Sequence, residues 1–148
     1  KTIGAVETYA FQGGIFDGLS PEYQESYLDS TLAGFEATLS GSTSSPEIDE
    51  ALQNQDVLLS AMFAAWKDRD PEAFSKVYDK ASIINSTDEL NSKLFTQRDP
   101  GMIKAAAGYL ETEGSHTYFM AVGAGHMVDP GGIVSGLREL GYTVELLL

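Results

Sequence analysis

The sequence predicts an α/β fold in which a small, largely parallel sheet is flanked by helices, with a long helical insertion and a C-terminal β-α-β unit. A continuous apolar run at 117–122 is typical of a strand that is covered on both faces. A helical pattern at 129–140 and a β-prone run at 142–147 follow it, so the two strands should be parallel with a right-handed crossover. Within 20–113, by contrast, apolar residues recur at helical spacing.

The first elements are predicted to be a short strand at 2–6 and then a long helix. Ser20 can cap this helix by accepting a hydrogen bond from a free N–H of the first turn, and Pro21 suits the first helical position. The apolar positions of the helix are Tyr23, Tyr27, Leu28, Thr31, Leu32, Phe35 and Leu39.

The rest of the insertion is also predicted to be helical, apart from an irregular stretch at 82–87. Asp70 is placed to cap the second of these helices and Asp99 the last, which Gly114 is placed to end. The helical segments lie at 46–68, 71–78, 90–94 and 99–113.

The composition fits one domain and excludes several function classes. The chain has 148 residues, 43% of them hydrophobic, which suffices for the core of a single domain over 1–148. The absence of cysteine excludes a disulfide scaffold, a zinc-thiolate site and cysteine catalysis. The net charge of −13 disfavours nucleic acid and anionic membrane surfaces, and leaves a cationic partner or metal ions as alternatives to simple solubility. No apolar run reaches the ~20 residues that would insert into a membrane.

His126 is the first candidate functional residue, because it follows the predicted strand at 117–122 in the turn Gly123-Ala124-Gly125-His126. Ligands of open α/β sheets bind outside the strand ends, and glycines there allow close approach of a substrate. A neutral imidazole can ligate a metal or accept a proton near neutral pH. The alternative is a histidine that is simply hydrogen-bonded within a loop.

Arg98 and Glu7 are the next candidates. Arg98 precedes the predicted helix start at Asp99, and its planar guanidinium suits a carboxylate or a developing oxyanion. Glu7 ends the first predicted strand, where a carboxylate can ligate a metal or pair with Arg98. The alternatives are a surface arginine and an exposed or capping glutamate.

Three segments of the sequence carry a resemblance to one known family. The segment AVGAGHMVDPGGIVSGLRELGYTV at 121–144 is similar to the C-terminal signature of the TraB/GumN family, to which the Tiki proteins are related. The segment LFTQRDPGMIKAAAGYL at 94–110 resembles the family pattern L-x-x-E-R-N-x-x-M. The segment GAVETYAFQGGIFDGLSPEYQESYL at 4–28 resembles a G-L-E-T…Q…Q segment, with Glu7, Gln12 and Gln24 at matching places.

The resemblance implies part of a metal-dependent hydrolase, in particular a peptidase, acting on a peptide or small-molecule substrate. His126 would be a metal ligand or general base, Arg98 would stabilise negative charge, and Glu7 would shape the site. Substrate contacts would come from Gly123, Gly125 and Asp99. A divalent metal such as Zn²⁺, Mn²⁺ or Co²⁺ would be the cofactor, and the location would be extracytoplasmic or associated with the cell envelope.

The family pattern has two G-x-x-H motifs, whereas this sequence contains only the second. The resemblance therefore implies that 1–148 is the C-terminal half of the domain, completed by an N-terminal half or by a second copy in a homodimer. Gln97 also replaces a family glutamate that could orient Arg98. A single histidine does not make a three-ligand metal site, so a non-catalytic binding or regulatory module of the same fold is the alternative function.

Overall fold

The computed structural model describes residues 3–40 and 46–147, and within these ranges every regular element is helical. The α/β prediction is therefore wrong, because no strand forms in the described residues. The elements are α1 (Tyr9–Asp17), α2 (Pro21–Ser40), α3 (Pro46–Lys67), α4 (Pro71–Tyr78), α5 (Lys80–Ile84), α6 (Glu89–Thr96), α7 (Asp99–Leu110), a 3₁₀ turn (Ala124–His126) and α8 (Ile133–Glu139).

The segments predicted as strands are irregular. Residue 2 lies outside the described residues, and 3–6, 117–122 and 142–147 are assigned neither helix nor strand. A strand needs a neighbour that completes its hydrogen-bond ladder, and no backbone hydrogen bond joins the last two segments within the described ranges. Burial does not stabilise them either, because the Phe119 side chain is 96% exposed. The apolar run thus predicted a sheet that the described chain does not form.

Helix α1 was not predicted from the sequence. Thr8 caps it by accepting a hydrogen bond from Phe11 N at 3.1 Å. Its buried Ile15 packs with Leu19 and with Leu90 of α6 in one small core cluster. The first elements of the chain are therefore attached to α6.

Polar contacts attach the start of α2 to the same helix. Ser20 caps α2 as predicted, accepting from Tyr23 N at 3.2 Å. Its own N and Oγ donate to the Glu89 carboxylate at 2.9 and 2.6 Å, and the Tyr23 hydroxyl donates to Asp88 at 2.6 Å. The last bond raises the pKa of Tyr23 to about 12 and lowers the pKa of Asp88. Both acids lie at the N-terminal end of α6, where negative charge is favourable.

Helices α2 and α3 agree with the predicted helices, but their apolar residues are largely exposed. On α2 these are Tyr27, Leu28, Leu32, Phe35 and Leu39, and on α3 Val57, Leu58, Leu59, Phe63 and Trp66. Helix α3 buries Ala65 and packs on α4, whose start is capped by Asp70 as predicted. No helix in the described ranges combines the length and the hydropathy needed to cross a membrane.

The site described below rests on α5 to α8. Helix α5 occupies part of the stretch predicted as irregular, and α8 begins at Ile133, later than its predicted start at 129. Helix α8 packs on α7, and the contact is close at Gly136. A β-carbon there would overlap Cδ1 of Ile103, so only glycine fits without displacing that side chain.

Candidate functional site

His126 lies in the 3₁₀ turn Ala124–His126, between the irregular segment 117–122 and α8. Its backbone N donates to Gly123 O at 3.0 Å, which closes the turn. The turn directs the imidazole inward, and the residue is only 7% exposed. Nδ1 lies 2.6 Å from Oδ1 of Asp99, and the ring centroid lies 5.2 Å from that of Phe95. The other histidine, His116, is exposed.

Asp99 is the first residue of α7 and is 3% exposed. The sequence predicted a helix cap here, but the cap position is taken by Arg98, which makes no side-chain capping bond. Instead, both oxygens of the carboxylate have partners elsewhere. Oδ1 faces His126, and Oδ2 accepts a hydrogen bond from Lys80 Nζ at 2.6 Å. Asp99 is therefore the central group of a buried Lys80–Asp99–His126 triad.

Lys80 was missed by the sequence analysis, although it is the most deeply buried charged residue described, at 1% exposure. Besides the Asp99 contact, Nζ donates to Val128 O at 2.8 Å and lies 5.0 Å from the centre of the Phe95 ring. Lys80 follows Asp79, which ends α4 in the left-handed conformation (φ 44°) that aspartate tolerates and caps α5. A lysine at the start of a short helix carries no sequence signal of burial, because its partners lie in distant segments.

The triad determines which nitrogen of His126 carries the proton in the neutral ring. Lys80 donates to Oδ2 of Asp99, and an ionised carboxylate in such a salt bridge can only accept hydrogen bonds. Nδ1 must then be the donor in the contact with Asp99, and Nε2 keeps its lone pair. A histidine oriented in this way by a carboxylate can serve as a base or as a metal ligand through Nε2.

Arg98 binds Glu7 across 91 positions of the sequence. Nε lies 3.1 Å from both carboxylate oxygens, and Nη2 lies 2.7 Å from Oε2. Gln12 adds a hydrogen bond to Oε2 at 3.3 Å. Of the two roles that the sequence suggested for Glu7, the structure shows the pairing with Arg98. Glu7 thereby orients the arginine. The family pattern has a glutamate at the position of Gln97, and that glutamate could orient the arginine in the same way.

The Glu7 carboxyl is held in its charged form. Burial alone raises the pKa of Glu7, but the hydrogen bonds from Arg98 and Gln12, together with the charges of Arg98 and His126, outweigh it. The pKa of Glu7 consequently lies below its ordinary value of 4.5. Arg98, which binds Glu7, adjoins Asp99 in the chain, and Asp99 contacts His126, so the structure brings Glu7, Arg98, Asp99 and His126 into one region.

Gly123 and Gly125 border an open groove of about 380 Å³ between α3, α4 and the turn. The groove is mainly apolar, and its lining includes Phe63, Trp66 and Tyr78. Gly123 thus lies between the imidazole and the groove, since a β-carbon at this position would lie 3.6 Å from Cδ2 of His126. The substrate contacts assigned to Gly123, Gly125 and Asp99 stay predictions.

The donors around His126 do not by themselves fit a divalent metal. A catalytic zinc site takes three protein ligands, but the described ranges contain no group of three or more histidine or acidic side chains placed to hold an ion. The two nearest carboxylates, Asp99 and Glu7, are paired with Lys80 and Arg98. Among the described residues of this region, His126 is the one candidate ligand with an unpaired nitrogen, Nε2. Any further metal ligands would have to come from outside this region.

Comparison with known proteins identifies the family. The sequence model of the TraB/PrgY/gumN family matches residues 1–146, which is nearly the whole chain. The chain therefore belongs to the TraB/PrgY/gumN family, and the resemblance seen in the sequence is confirmed. Neither a curated protein nor a solved structure matches it.

Proposed function

We propose that this chain supplies the proton-accepting histidine of a hydrolase, and that His126 Nε2 is the accepting atom. The observation that carries the proposal is the contact between His126 Nδ1 and Asp99 Oδ1 at 2.6 Å, inside a triad closed by Lys80. A buried carboxylate that holds one ring nitrogen leaves the other free to take a proton from water or from a hydroxyl group. The membership of the TraB/PrgY/gumN family is consistent with this function.

Each charged group has a part in the proposed reaction. When Nε2 takes a proton, the imidazole becomes positive, and the adjacent Asp99 carboxylate stabilises that charge. Arg98 is oriented by Glu7 through Nε and Nη2, while Nη1 has no hydrogen-bond partner among the described residues. Nη1 is therefore the donor that would stabilise negative charge on a substrate carbonyl oxygen.

The proposed substrate is a peptide, and the apolar groove beside Gly123 and Gly125 would receive one of its side chains. A divalent metal, which the family resemblance implies, would need ligands in addition to His126, so the steps above use only groups of this chain. Those ligands would come from an N-terminal half or from a second copy.

The test compares the two histidines of the chain, His116 and His126. Hydrolysis of a fluorogenic peptide library is measured with and without added Zn²⁺, Mn²⁺ or Co²⁺ for the wild-type chain, His126→Gln and His116→Gln. Loss of a general base should lower kcat/KM about 10²- to 10⁴-fold in His126→Gln. The exposed His116 provides the matched control, which should stay at the wild-type rate. Equal rates for all three chains, or no hydrolysis by any, would overturn the proposal.

A non-catalytic binding module is the second candidate, and one observation favours it. Both carboxylates near His126 are paired with cations, which leaves neither of them as a free acid or a free ligand. Trp66 lines the groove and is exposed, so its fluorescence reports on an occupant. Saturable quenching by a peptide that is recovered uncleaved would support this candidate over the hydrolase.

A further inference from the structure

Lys80 is a buried charge that the proposed reaction does not use directly. Burial of an ammonium group is costly unless the group is paired and hydrogen-bonded, and the structure supplies both kinds of contact. Its partners come from three different segments: Asp99 at the start of α7, Phe95 of α6, and the carbonyl of Val128 after the 3₁₀ turn. A salt bridge alone would require only the first of them.

We propose that Lys80 is a positioning residue, which fixes the Asp99 carboxylate and the backbone after His126 so that the proton stays on Nδ1 and the lone pair on Nε2. The proposal rests on the function proposed for His126. The role of Lys80 also extends that function, because neither the sequence motifs nor the family resemblance points to this lysine.

The first step of the argument concerns the carboxylate. An isolated carboxylate can turn about its Cβ–Cγ bond and offer either oxygen to His126. With Oδ2 held by Lys80 at 2.6 Å, only Oδ1 is left for Nδ1. The ammonium also offsets the charge of Asp99, so the imidazole need not become positive to neutralise a buried anion.

The second step concerns the backbone. Lys80 Nζ donates to Val128 O at 2.8 Å, which ties α5 to the chain two residues beyond His126. One ammonium group thus holds both the acceptor of the Nδ1 proton and the segment that carries the ring.

The other charged and titratable groups of this region do not replace Lys80. Arg98, at the cap position of α7, is bound to Glu7. Burial raises the pKa of the Tyr78 hydroxyl of α4, and the charge of Asp99 raises it further. Neither Arg98 nor Tyr78 donates a hydrogen bond to Asp99 among the described contacts, so apart from the His126 ring Lys80 is the one donor to this carboxylate there.

The test reads the ring nitrogens directly by NMR of the full chain with ¹⁵N-labelled histidine. The chain has two histidines, so His116→Gln assigns both rings. At about pH 8, where an ordinary imidazole is neutral, the wild-type His126 ring should show a proton on Nδ1 only. In Lys80→Met this single pattern should be lost, because the ring either takes a second proton or divides between two tautomers. Lys76→Met, which removes an exposed lysine of α4, should leave the pattern intact.

A folded Lys80→Met chain with the wild-type ring pattern would overturn the inference. If that variant does not fold, NMR of Lys80 in the wild-type chain tests the inference. Its Lys80 ammonium protons should exchange slowly and show nuclear Overhauser effects to the Phe95 ring, whereas rapid exchange without such effects would contradict the buried contact.

The outcomes separate this inference from the proposed function. If the ring pattern responds to Asp99→Asn but not to Lys80→Met, the positioning role of Lys80 is contradicted and the proposal that His126 accepts the proton still stands. If the ring pattern responds to Lys80→Met and His126→Gln still hydrolyses peptides at the full rate, the positioning role of Lys80 is supported and the hydrolase function is contradicted.

Discussion

The ring of Tyr78 lies against the backbone of Gly125. A β-carbon at position 125 would lie 2.6 Å from the Tyr78 hydroxyl oxygen and 2.7 Å from two ring carbons. Tyr78 is in turn fixed by stacking on Phe74 and by an edge contact with Phe95, so it has little freedom to withdraw. The second glycine of the G-x-x-H turn is therefore required by the packing of α4.

Gly125→Ala should lower the free energy of unfolding by about 1–3 kcal/mol, because it forces a methyl group into an occupied space. Gly123→Ala is the matched control, since its β-carbon would meet Cδ2 of His126 at an ordinary 3.6 Å. Its backbone also suits alanine (φ −60°, ψ 140°). Urea unfolding of the two variants measures the difference, and equal stabilities would contradict the contact.

Arg98→Met should destabilise the chain by about 3 kcal/mol, because it leaves the largely buried Glu7 carboxylate without its cation. Arg98→Lys should cost about 1 kcal/mol, since lysine keeps the charge but cannot make the two-pronged contact. Lys104→Met, at an exposed position of the same helix, should change stability by less than about 0.5 kcal/mol. Equilibrium unfolding of the three variants would refute the pairing if Arg98→Met behaved like Lys104→Met.

The Glu7 interaction should weaken in acid. Because the pKa of Glu7 is lower in the folded chain, its stabilising contribution is complete above the ordinary value of 4.5 and is lost as the pH falls through the lowered value. The stability difference between the wild-type chain and Glu7→Gln should therefore be present at about pH 7 and much smaller at about pH 3. Asp88 and Glu89, whose pKa values are also lowered, titrate in both chains and cancel. A constant difference across this range would exclude Glu7 as the titrating group.

The exposed apolar residues of 117–122 should promote self-association, consistent with the homodimer expected from the sequence. Phe119, at 96% exposure, makes the largest exposed contribution of that segment. Light scattering over a concentration series should show association of the wild-type chain and a clear reduction in Phe119→Ser. Thr117→Ser changes a neighbour without removing an aromatic ring and serves as the control. A wild-type chain that stays monomeric at every concentration would contradict the expectation.

Local patterns in the sequence predicted most of the helices. Ser20 and Asp70 cap α2 and α4 as expected, because a capping side chain bonds to the backbone a few residues away. Strands depend on distant partners, so the apolar run at 117–122 could suggest a sheet without providing its neighbour. Helix α1 was missed because Gly13 and Gly14 weaken its pattern.

The candidate site was partly visible in the sequence. His126 and Arg98 were found because each lies in a recognisable local pattern, and one of the two suggestions for Glu7 was its pairing with Arg98. Lys80 could not be found, because its burial results from three contacts with segments that only the fold brings together. Asp99 was predicted to cap α7, but its carboxylate binds Lys80 and His126 instead. An aspartate at a helix start has the same local sequence whether it caps the helix or bonds to other segments.

The 91-residue separation between Glu7 and Arg98 also bears on the order of folding. Neighbouring helices such as α3 with α4, or α5 with α6, can form early because they close short loops, whereas the Glu7 contact must close a long one. Interactions that form after the rate-limiting step slow unfolding without accelerating folding. Glu7→Gln should then leave the refolding rate nearly unchanged and raise the unfolding rate, so that the pairing prolongs the lifetime of the native state rather than guiding the chain to it.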